Sequence, residues 1–161
     1  MDLGITIIGT ICVALCAIPF IITNRTRAKK KKELLLALRN VAEQHQGKVT
    51  EYEICGNYAI GVDKVKNTVS FVSSKDDVLE SQFADLTTIR NCEIVKNTRL
   101  NANKSEVIDQ LSLKLTAANT NESNIILEFY NAQVSFQFSG EIASIEKWNK
   151  LINGLLTNMV K

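Results

Sequence analysis

The side chains that could carry out chemistry are few and widely spaced in this chain of 161 residues. His45 is the only histidine and would be the natural general base, while Cys55 and Cys92 would be the nucleophiles. His45 lies at helical spacing from apolar residues, which favours an interface residue, and neither cysteine has an activating partner close in sequence. Asp76 and Asp77 belong to an acidic stretch that indicates a solvated connection between strands. We therefore expect no catalytic residue.

Metal and cofactor sites are not indicated either. Structural zinc needs four closely grouped Cys or His ligands, and this sequence has no Cys-x-x-Cys pair. The chain has seven glycines and no phosphate-cradling glycine loop. The sequence thus predicts a protein that is not an enzyme and that holds no metal and no cofactor.

The N-terminal segment is strongly apolar. No charged residue occurs from Leu3 to Thr23, and eleven of these twenty-one residues are Leu, Ile, Val or Phe. At ~1.5 Å per residue a helix of this length reaches about 31 Å, the thickness of a hydrocarbon core. A cleaved signal peptide would have its basic residues before the apolar run, whereas here they follow it. The sequence predicts a retained transmembrane helix over residues 1–24.

A basic run follows the apolar segment directly. Its six members are Arg25, Arg27, Lys29, Lys30, Lys31 and Lys32. Lys and Arg concentrate on the cytoplasmic side of a spanning helix, and anionic head groups there attract each of them by ~1 kcal/mol. The run therefore predicts a single-pass protein of the inner (plasma) membrane, with the N-terminus outside, the C-terminal domain in the cytoplasm and the lipid bilayer as a partner.

The charge balance excludes nucleic acid as a partner. The chain has nineteen Lys and Arg and seventeen Asp and Glu. Removing the six bases of the run and Asp2 leaves thirteen against sixteen, so the rest of the chain carries a net charge of −3. Nucleic-acid binding is driven by neutralising phosphates, which needs a basic domain.

The residues 25–47 form a basic juxtamembrane segment that continues as a helix. Four of its residues fall at helical spacing on one face: Leu34, Leu38, Val41 and His45. Gly47 is a plausible end of this helix. Two roles stay open for it, packing against the following domain or parallel pairing with a second copy. Pairing here or in the transmembrane helix would give a homodimer.

Beyond Lys48 the apolar pattern becomes alternating, which is typical of an antiparallel sheet with one wet face. Apolar residues alternate in 58–62, 111–117, 125–129 and 134–138, and 83–99 should contain a further strand. We expect six or seven strands. The chain then ends in an amphipathic helix whose apolar face is formed by Ile145, Trp148, Ile152 and Leu155. This helix should cap the open end, or the seam, of a nearly closed barrel.

This order of elements resembles the pleckstrin-homology (PH)-like superfold, in a bacterial, membrane-tethered form. The resemblance covers about residues 49–158 and lies in "NYAIGVDKVKNTVSFVSS", "FADLTTIRNCEIVKN" and the closing "IEKWNKLINGLL". It implies an α+β fold in which an N-terminal transmembrane helix is followed, over residues 48–161, by an antiparallel six- or seven-stranded barrel capped by the C-terminal helix. Lipid-binding members carry several bases in the first hairpin loop, whereas the corresponding residues 54–59 have none.

A fold does not determine a function. The anchor, the small domain and the absence of visible catalytic groups favour a membrane-anchored, non-enzymatic scaffold or adaptor that presents its PH-like domain to an unidentified cytoplasmic protein. The alternative is a lipid-sensing module at the membrane surface that uses the basic run.

Overall fold

A computed structural model of the chain describes residues 27–76, 78–102, 104–119, 122–135 and 137–159. The chain divides into two compact units, Met1–Glu33 and Leu34–Lys161. In the first unit, the described residues 27–33 are helical, and Lys29 pairs with Glu33 at 3.9 Å on the exposed helix surface. All described strands belong to the second unit.

The second unit has an α+β architecture. The helix α1 covers residues 27–44 and thus begins in the first unit. The remaining elements are β1 (Glu51–Cys55), β2 (Tyr58–Asp63), β3 (Thr68–Lys75), β4 (Val78–Asp85), a 3-10 turn (Leu86–Thr88), β5 (Ile89–Leu100), β6 (Glu106–Ala117), β7 (Ile125–Asn131) and α2 (Glu141–Met159). The strands form two antiparallel sheets, of order β1-β2-β3-β4 and β5-β6-β7.

The predicted fold class is wrong in its transmembrane helix. Residues 1–24, on which that prediction was based, lie outside the described residues, and no helix in the described part of the chain is long and apolar enough to cross a membrane. Charged residues on both helices account for this: α1 carries Arg27 and Lys29 to Lys32, and α2 exposes Glu146, Lys147 and Lys150. This finding contradicts the predicted single-pass location in the inner membrane as well. The predicted single barrel is replaced by two separate sheets.

Two of the predicted local elements also differ from the structure. The acidic stretch 73–82, expected as a connection, forms the end of β3, a turn and the first half of β4. None of the described residues of the predicted strand at 134–138 belongs to a strand, because the chain turns after β7, where the Asn131 side chain accepts a hydrogen bond from the backbone N–H of Gln133 (3.0 Å). Beyond this turn, Phe138 stacks on Tyr130 with 4.0 Å between ring centroids.

The main core lies between the inner faces of the two sheets. Strict alternation in β6 places Leu111, Leu113 and Leu115 in it, fully buried. Side chains of β2, β3, β7 and α2 complete this core. At about 25 cal/mol per Å² of buried apolar surface, these contacts are the dominant stabilising contribution to the fold.

The helix α2 spans the gap between the outer strands β1 and β5. Near its start, the Glu53 carboxylate of β1 accepts hydrogen bonds from Lys147 Nζ (2.8 Å) and Trp148 Nε1 (3.1 Å). Burial alone would raise the pKa of Glu53, but the hydrogen bonds to its carboxylate outweigh this and lower the pKa. Near its end, Asn153 Nδ2 donates to the Cys92 carbonyl of β5 (2.9 Å).

Residues 34–44 of α1 cover the outer face of the first sheet. Leu34, Leu38 and Val41 pack on Ala59 and Val72 and form a second, smaller core. β2 is therefore covered on both faces, which is why every one of its residues is buried. Of the two roles left open for this helix, packing against the domain is the one observed, and parallel pairing with a second copy stays a prediction.

Candidate functional site

The residues singled out in the sequence do not form a site. Arg25 lies outside the described residues, Lys30 is half-buried, and the other members of the basic run, Arg27, Lys29, Lys31 and Lys32, are exposed on α1. The apolar face of α2 is part of the core: Ile145, Trp148 and Ile152 are fully buried, and Leu155 is half-buried against them.

The candidate catalytic side chains lie in separate environments. His45 follows α1 and stacks flat on Phe83, with 3.6 Å between ring centroids. Cys92 is buried in the main core, and this burial raises the pKa of its thiol to about 12, so it is not a nucleophile at neutral pH. Cys55 Sγ lies 3.7 Å from the Ser139 carbonyl oxygen. Within the described ranges, no three His, Cys, Asp or Glu side chains are arranged to hold a metal ion.

A cleft of about 270 Å³ opens between the two sheets, with β3 and β4 on one side and β6 and β7 on the other. Its floor consists of three buried aromatic rings, those of Tyr58, Phe71 and Phe129, whose centroids lie 4.6 to 5.6 Å apart. The Tyr58 hydroxyl donates a hydrogen bond to Ser144 Oγ of α2 (2.8 Å). Burial raises the pKa of Tyr58 far above its ordinary value, so this residue stays neutral.

The cleft exists because the inner face of β4 is polar. Glu80 lies opposite Ser73, and Gln82 lies opposite Phe71, and residues directly opposite each other in an antiparallel pair point to the same face. Both side chains therefore point to the same side as the aromatic floor, yet both are exposed. The second sheet leaves this end of the first sheet uncovered, since burying an unpaired carboxylate there would cost several kcal/mol.

A chain of side-chain amides holds one carboxylate at the edge of the cleft. Glu128 accepts hydrogen bonds from Gln110 Nε2 and from Asn131 Nδ2, the latter 3.2 Å from both carboxylate oxygens. Asn97 Nδ2 in turn donates to Gln110 Oε1 (2.9 Å). Glu128 is thus fixed in place, whereas Glu80 across the cleft is exposed and has no ion-pair partner among the described residues.

The innermost carboxylate of the cleft, Glu141, has a structural role. It is 2 % exposed, and one of its oxygens accepts a hydrogen bond from the backbone N–H of Ser139. The other oxygen lies against the turn between β1 and β2, where a Cβ on Gly56 would be 2.5 Å away from it. Gly56 also has a positive φ of 52°, so the turn requires glycine for two reasons.

The charge of the lining favours a cation. Lys75 is the one positive side chain among the described residues around the cleft, against the three carboxylates of Glu80, Glu128 and Glu141. The carboxylates can accept charge-assisted hydrogen bonds from a cation, and the three aromatic rings, none more than 3 % exposed, give the cleft an apolar base. The volume lies just below the ~300–1,000 Å³ of small-molecule pockets, which suits a single side chain.

A second, more apolar groove of about 590 Å³ lies beside the end of α2. Leu86, Ile89 and Leu156 form its floor and are themselves almost completely buried, so the groove is shallow. Arg90 is the only charged residue among the described residues that line it. This groove lacks converging polar groups that would orient a ligand.

Comparisons of the chain with protein-family models, with curated proteins and with solved structures give no match.

Proposed function

We propose that this protein is a non-enzymatic adaptor whose PH-like domain binds a partner protein by accepting a basic side chain in the cleft. The observation that carries the proposal is the aromatic floor of the cleft between the fixed carboxylate of Glu128 and the exposed carboxylate of Glu80. The PH-like assignment is supported by the order of elements, four antiparallel strands, then three, then a helix that covers the gap between β1 and β5.

A binding role fits the lining better than a catalytic role. Among the described residues around the cleft there is neither His nor Cys, and the Tyr58 hydroxyl is held protonated by burial. A general acid or base works best with a pKa near the operating pH, and burial moves the pKa of Tyr58 away from it.

The expected interaction is weak and reversible. A basic side chain in the cleft would form charge-assisted hydrogen bonds of ~1.5–3 kcal/mol each. Part of this gain is offset by desolvating the cation and by Lys75 at the edge of the cleft. We therefore expect Kd values on the order of 0.1–1 mM for a single residue and tighter binding for a longer peptide.

The test uses the full chain and the peptide Ac-Ala-Arg-Ala-NH₂, compared with a peptide that has norleucine in place of arginine. Binding is followed by NMR through the side-chain amide signals of Gln110 and Asn131, because both amides donate to the carboxylate that would receive the cation. We expect these signals to shift with the arginine peptide only. Equal shifts with norleucine would contradict a cation site.

Substitutions complete this test. Glu80→Gln should weaken binding of the arginine peptide by about tenfold, because it removes an exposed carboxylate of the cleft without removing a contact that stabilises the fold. The matched control is Glu146→Gln, an exposed carboxylate on α2, which should leave binding unchanged. Lys75→Ala should tighten binding. If Glu80→Gln and Glu146→Gln have the same effect, the cleft is not the binding site.

A further inference from the structure

The outer strand β4 leaves a row of backbone groups without partners. Leu86 N–H donates to the Asn67 carbonyl (2.9 Å), which makes the neighbouring pair Thr68 and Asp85 a non-hydrogen-bonded one. Because N–H and C=O groups of successive strand residues alternate in direction, the groups of residues 79, 81 and 83 point away from β3. No described residue outside β4 forms a hydrogen bond to them.

The other sheet edges are interrupted or covered. β5 has register shifts at both ends of its pairing, and the Cys92 carbonyl at its edge is occupied by Asn153. β7 has a register shift opposite Leu111, and β1 is clamped to α2 through Glu53. Such bulges and coverings are the usual protection of a sheet edge against pairing with another chain.

Neither a bulge nor a covering hydrogen bond interrupts the described edge of β4, and the charged residues that it carries are Glu80 and Asp85. It is eight residues long, pairs with β3 without a register shift, and contains no Lys, Pro or Gly. It also exposes two large apolar side chains, Val78 (62 %) and Leu79 (46 %). A long, regular and partly apolar edge of this kind is suited to accept a further strand.

The sequence of β4 identifies which strand would fit. Residues 79–83 read Leu-Glu-Ser-Gln-Phe, which is symmetric in chemical type about Ser81. In an antiparallel pair centred on Ser81, Leu79 of one copy lies opposite Phe83 of the other, and Glu80 lies opposite Gln82. An apolar pair forms on the outer face, and on the inner face a glutamine amide can donate to a carboxylate. Within residues 79–83, no like charges lie directly opposite each other.

We propose that two copies of this chain form a symmetric dimer through antiparallel pairing of their β4 strands about Ser81. The three outward-pointing residues of each copy then form about six backbone hydrogen bonds across the two-fold axis. The two four-stranded sheets become one continuous sheet. An isologous contact of this kind closes on itself and does not lead to fibres. This proposal does not depend on the proposed function of the cleft.

The first test is sedimentation of the full chain over a range of concentrations, in a non-ionic detergent because residues 3–23 are apolar in sequence. We expect a reversible monomer–dimer equilibrium with a Kd on the order of 10–100 µM, since a strand pair buries less than a standard interface. Gln82→Glu should raise this Kd by about tenfold, because it places two glutamate pairs face to face. A chain that stays monomeric at all concentrations overturns the proposal.

The decisive variant is the exchange Glu80→Gln with Gln82→Glu. It restores one carboxylate opposite one amide on each side of the axis, so the dimer should return to the strength of the wild type. A double variant that stays as weak as Gln82→Glu overturns the pairing. Recovery of the dimer in this variant also distinguishes the dimer proposal from the cleft proposal. The recovery does not require binding of the arginine peptide, which depends on Glu80.

A cross-link checks the register. Ser81→Cys places a thiol opposite its own copy at a Cα separation of ~5.5 Å, within the range of disulfides. Under mild oxidation we expect a covalent dimer for this variant. The matched control Ser123→Cys, on an exposed loop, should give none beyond the wild-type background. Equal cross-linking of the two variants, or capture of other proteins in place of a second copy, contradicts the proposal.

Discussion

Replacing Asp63 by asparagine tests how the carboxylate at the end of β2 holds the fold together. Asp63 is 5 % exposed and accepts three backbone hydrogen bonds. Its Oδ1 receives the N–H groups of Val65 (2.9 Å) and Lys66 (3.0 Å) in the turn before β3. Its Oδ2 receives the N–H of Lys48 (2.7 Å), which fixes the link between α1 and β1.

The expected loss of stability in Asp63→Asn follows from these hydrogen bonds. In Asp63→Asn the remaining carbonyl oxygen can still accept the two turn bonds, but the new NH₂ group faces the N–H of Lys48, so that two donors meet. A hydrogen bond to a charged group contributes ~1.5–3 kcal/mol, and a buried donor without an acceptor costs ~1–3 kcal/mol. We expect the free energy of unfolding to fall by about 2–3 kcal/mol, measured by urea denaturation at pH 7.

The exposed carboxylate of Asp85 is the matched control. It accepts hydrogen bonds from Thr87 N (2.9 Å) and Thr87 Oγ1 (2.7 Å) at the surface. Asp85→Asn should cost less than about 1 kcal/mol, because water can satisfy the group that loses its partner. A loss below about 0.5 kcal/mol for Asp63→Asn, or equal losses for both variants, would refute the assignment of Asp63 as a structural anchor.

The pH dependence gives an independent check. Burial would raise the pKa of Asp63, but the backbone N–H groups of Lys48, Lys66 and Val65 outweigh it and lower the pKa below its ordinary value of 3.8. A lowered pKa in the folded state stabilises the fold above the unfolded pKa, and this contribution is lost as the pH falls through the folded pKa. The stability difference between wild type and Asp63→Asn should therefore be constant from pH 7 to about 5 and shrink below about pH 4. A difference that grows in acid would contradict this reasoning.

Three further predictions concern packing, the α2 contact and thiol reactivity. Gly61→Ala should lower the free energy of unfolding by ~1–2 kcal/mol, because the new Cβ would lie 2.8 Å from Val49 Cγ1. Gly154→Ala should raise it by ~0.5–1 kcal/mol, because no atom lies within 4 Å of the new Cβ. Urea denaturation measures both changes. Glu53→Gln should lower the free energy of unfolding by ~1 kcal/mol in the same assay, because Lys147 and Trp148 of α2 would then donate to a neutral amide in place of a carboxylate. Cys92 should resist iodoacetamide at pH 8 in the folded protein, because burial raises the pKa of its thiol to about 12, and it should react in urea. Mass spectrometry of the peptide that contains Cys92 follows the labelling. Rapid labelling without urea would contradict the place of Cys92 in the core.

Local periodicity predicts the elements that bury one clear face. The apolar spacing of α2 places Trp148 and Ile152 in the core, and the alternation of Leu111, Leu113 and Leu115 coincides with β6. These patterns are reliable because each element has one dry and one wet side, so that the period of the sequence equals the period of the structure.

The strand β4 could not be predicted by the same reasoning. An edge strand needs only one neighbour, and the inner side of this one faces the cleft, so its polar Glu80 and Gln82 replace the expected apolar alternation. The stretch from Val134 to Phe138 shows the opposite case: it alternates as a strand should, but the turn at Asn131 ends the pairing with β6. Alternation thus reports burial, and strand pairing is decided by neighbours that lie far away in the sequence.

The aromatic floor of the cleft also could not be predicted from local alternation. Tyr58, Phe71 and Phe129 each occupy an inward position that alternation can assign, but their convergence depends on how the two sheets pack. Likewise, the amides that hold Glu128 come from β5, β6 and β7. Nothing in the local sequence indicates that these groups share one cleft.

The two proposals meet at Glu80, and this makes them thermodynamically linked. In the dimer, the Glu80 carboxylate accepts a hydrogen bond from Gln82 of the second copy, and in the cleft the same carboxylate would receive a basic side chain. Both contacts compete for the lone pairs of one group, so a cation in the cleft should weaken the dimer, and the dimer should weaken cation binding by the same factor. The arginine peptide should therefore raise the dimer Kd of the wild type, and it should lose this effect in Glu80→Gln, which lacks this carboxylate. An unchanged dimer Kd of the wild type at saturating peptide would contradict this competition.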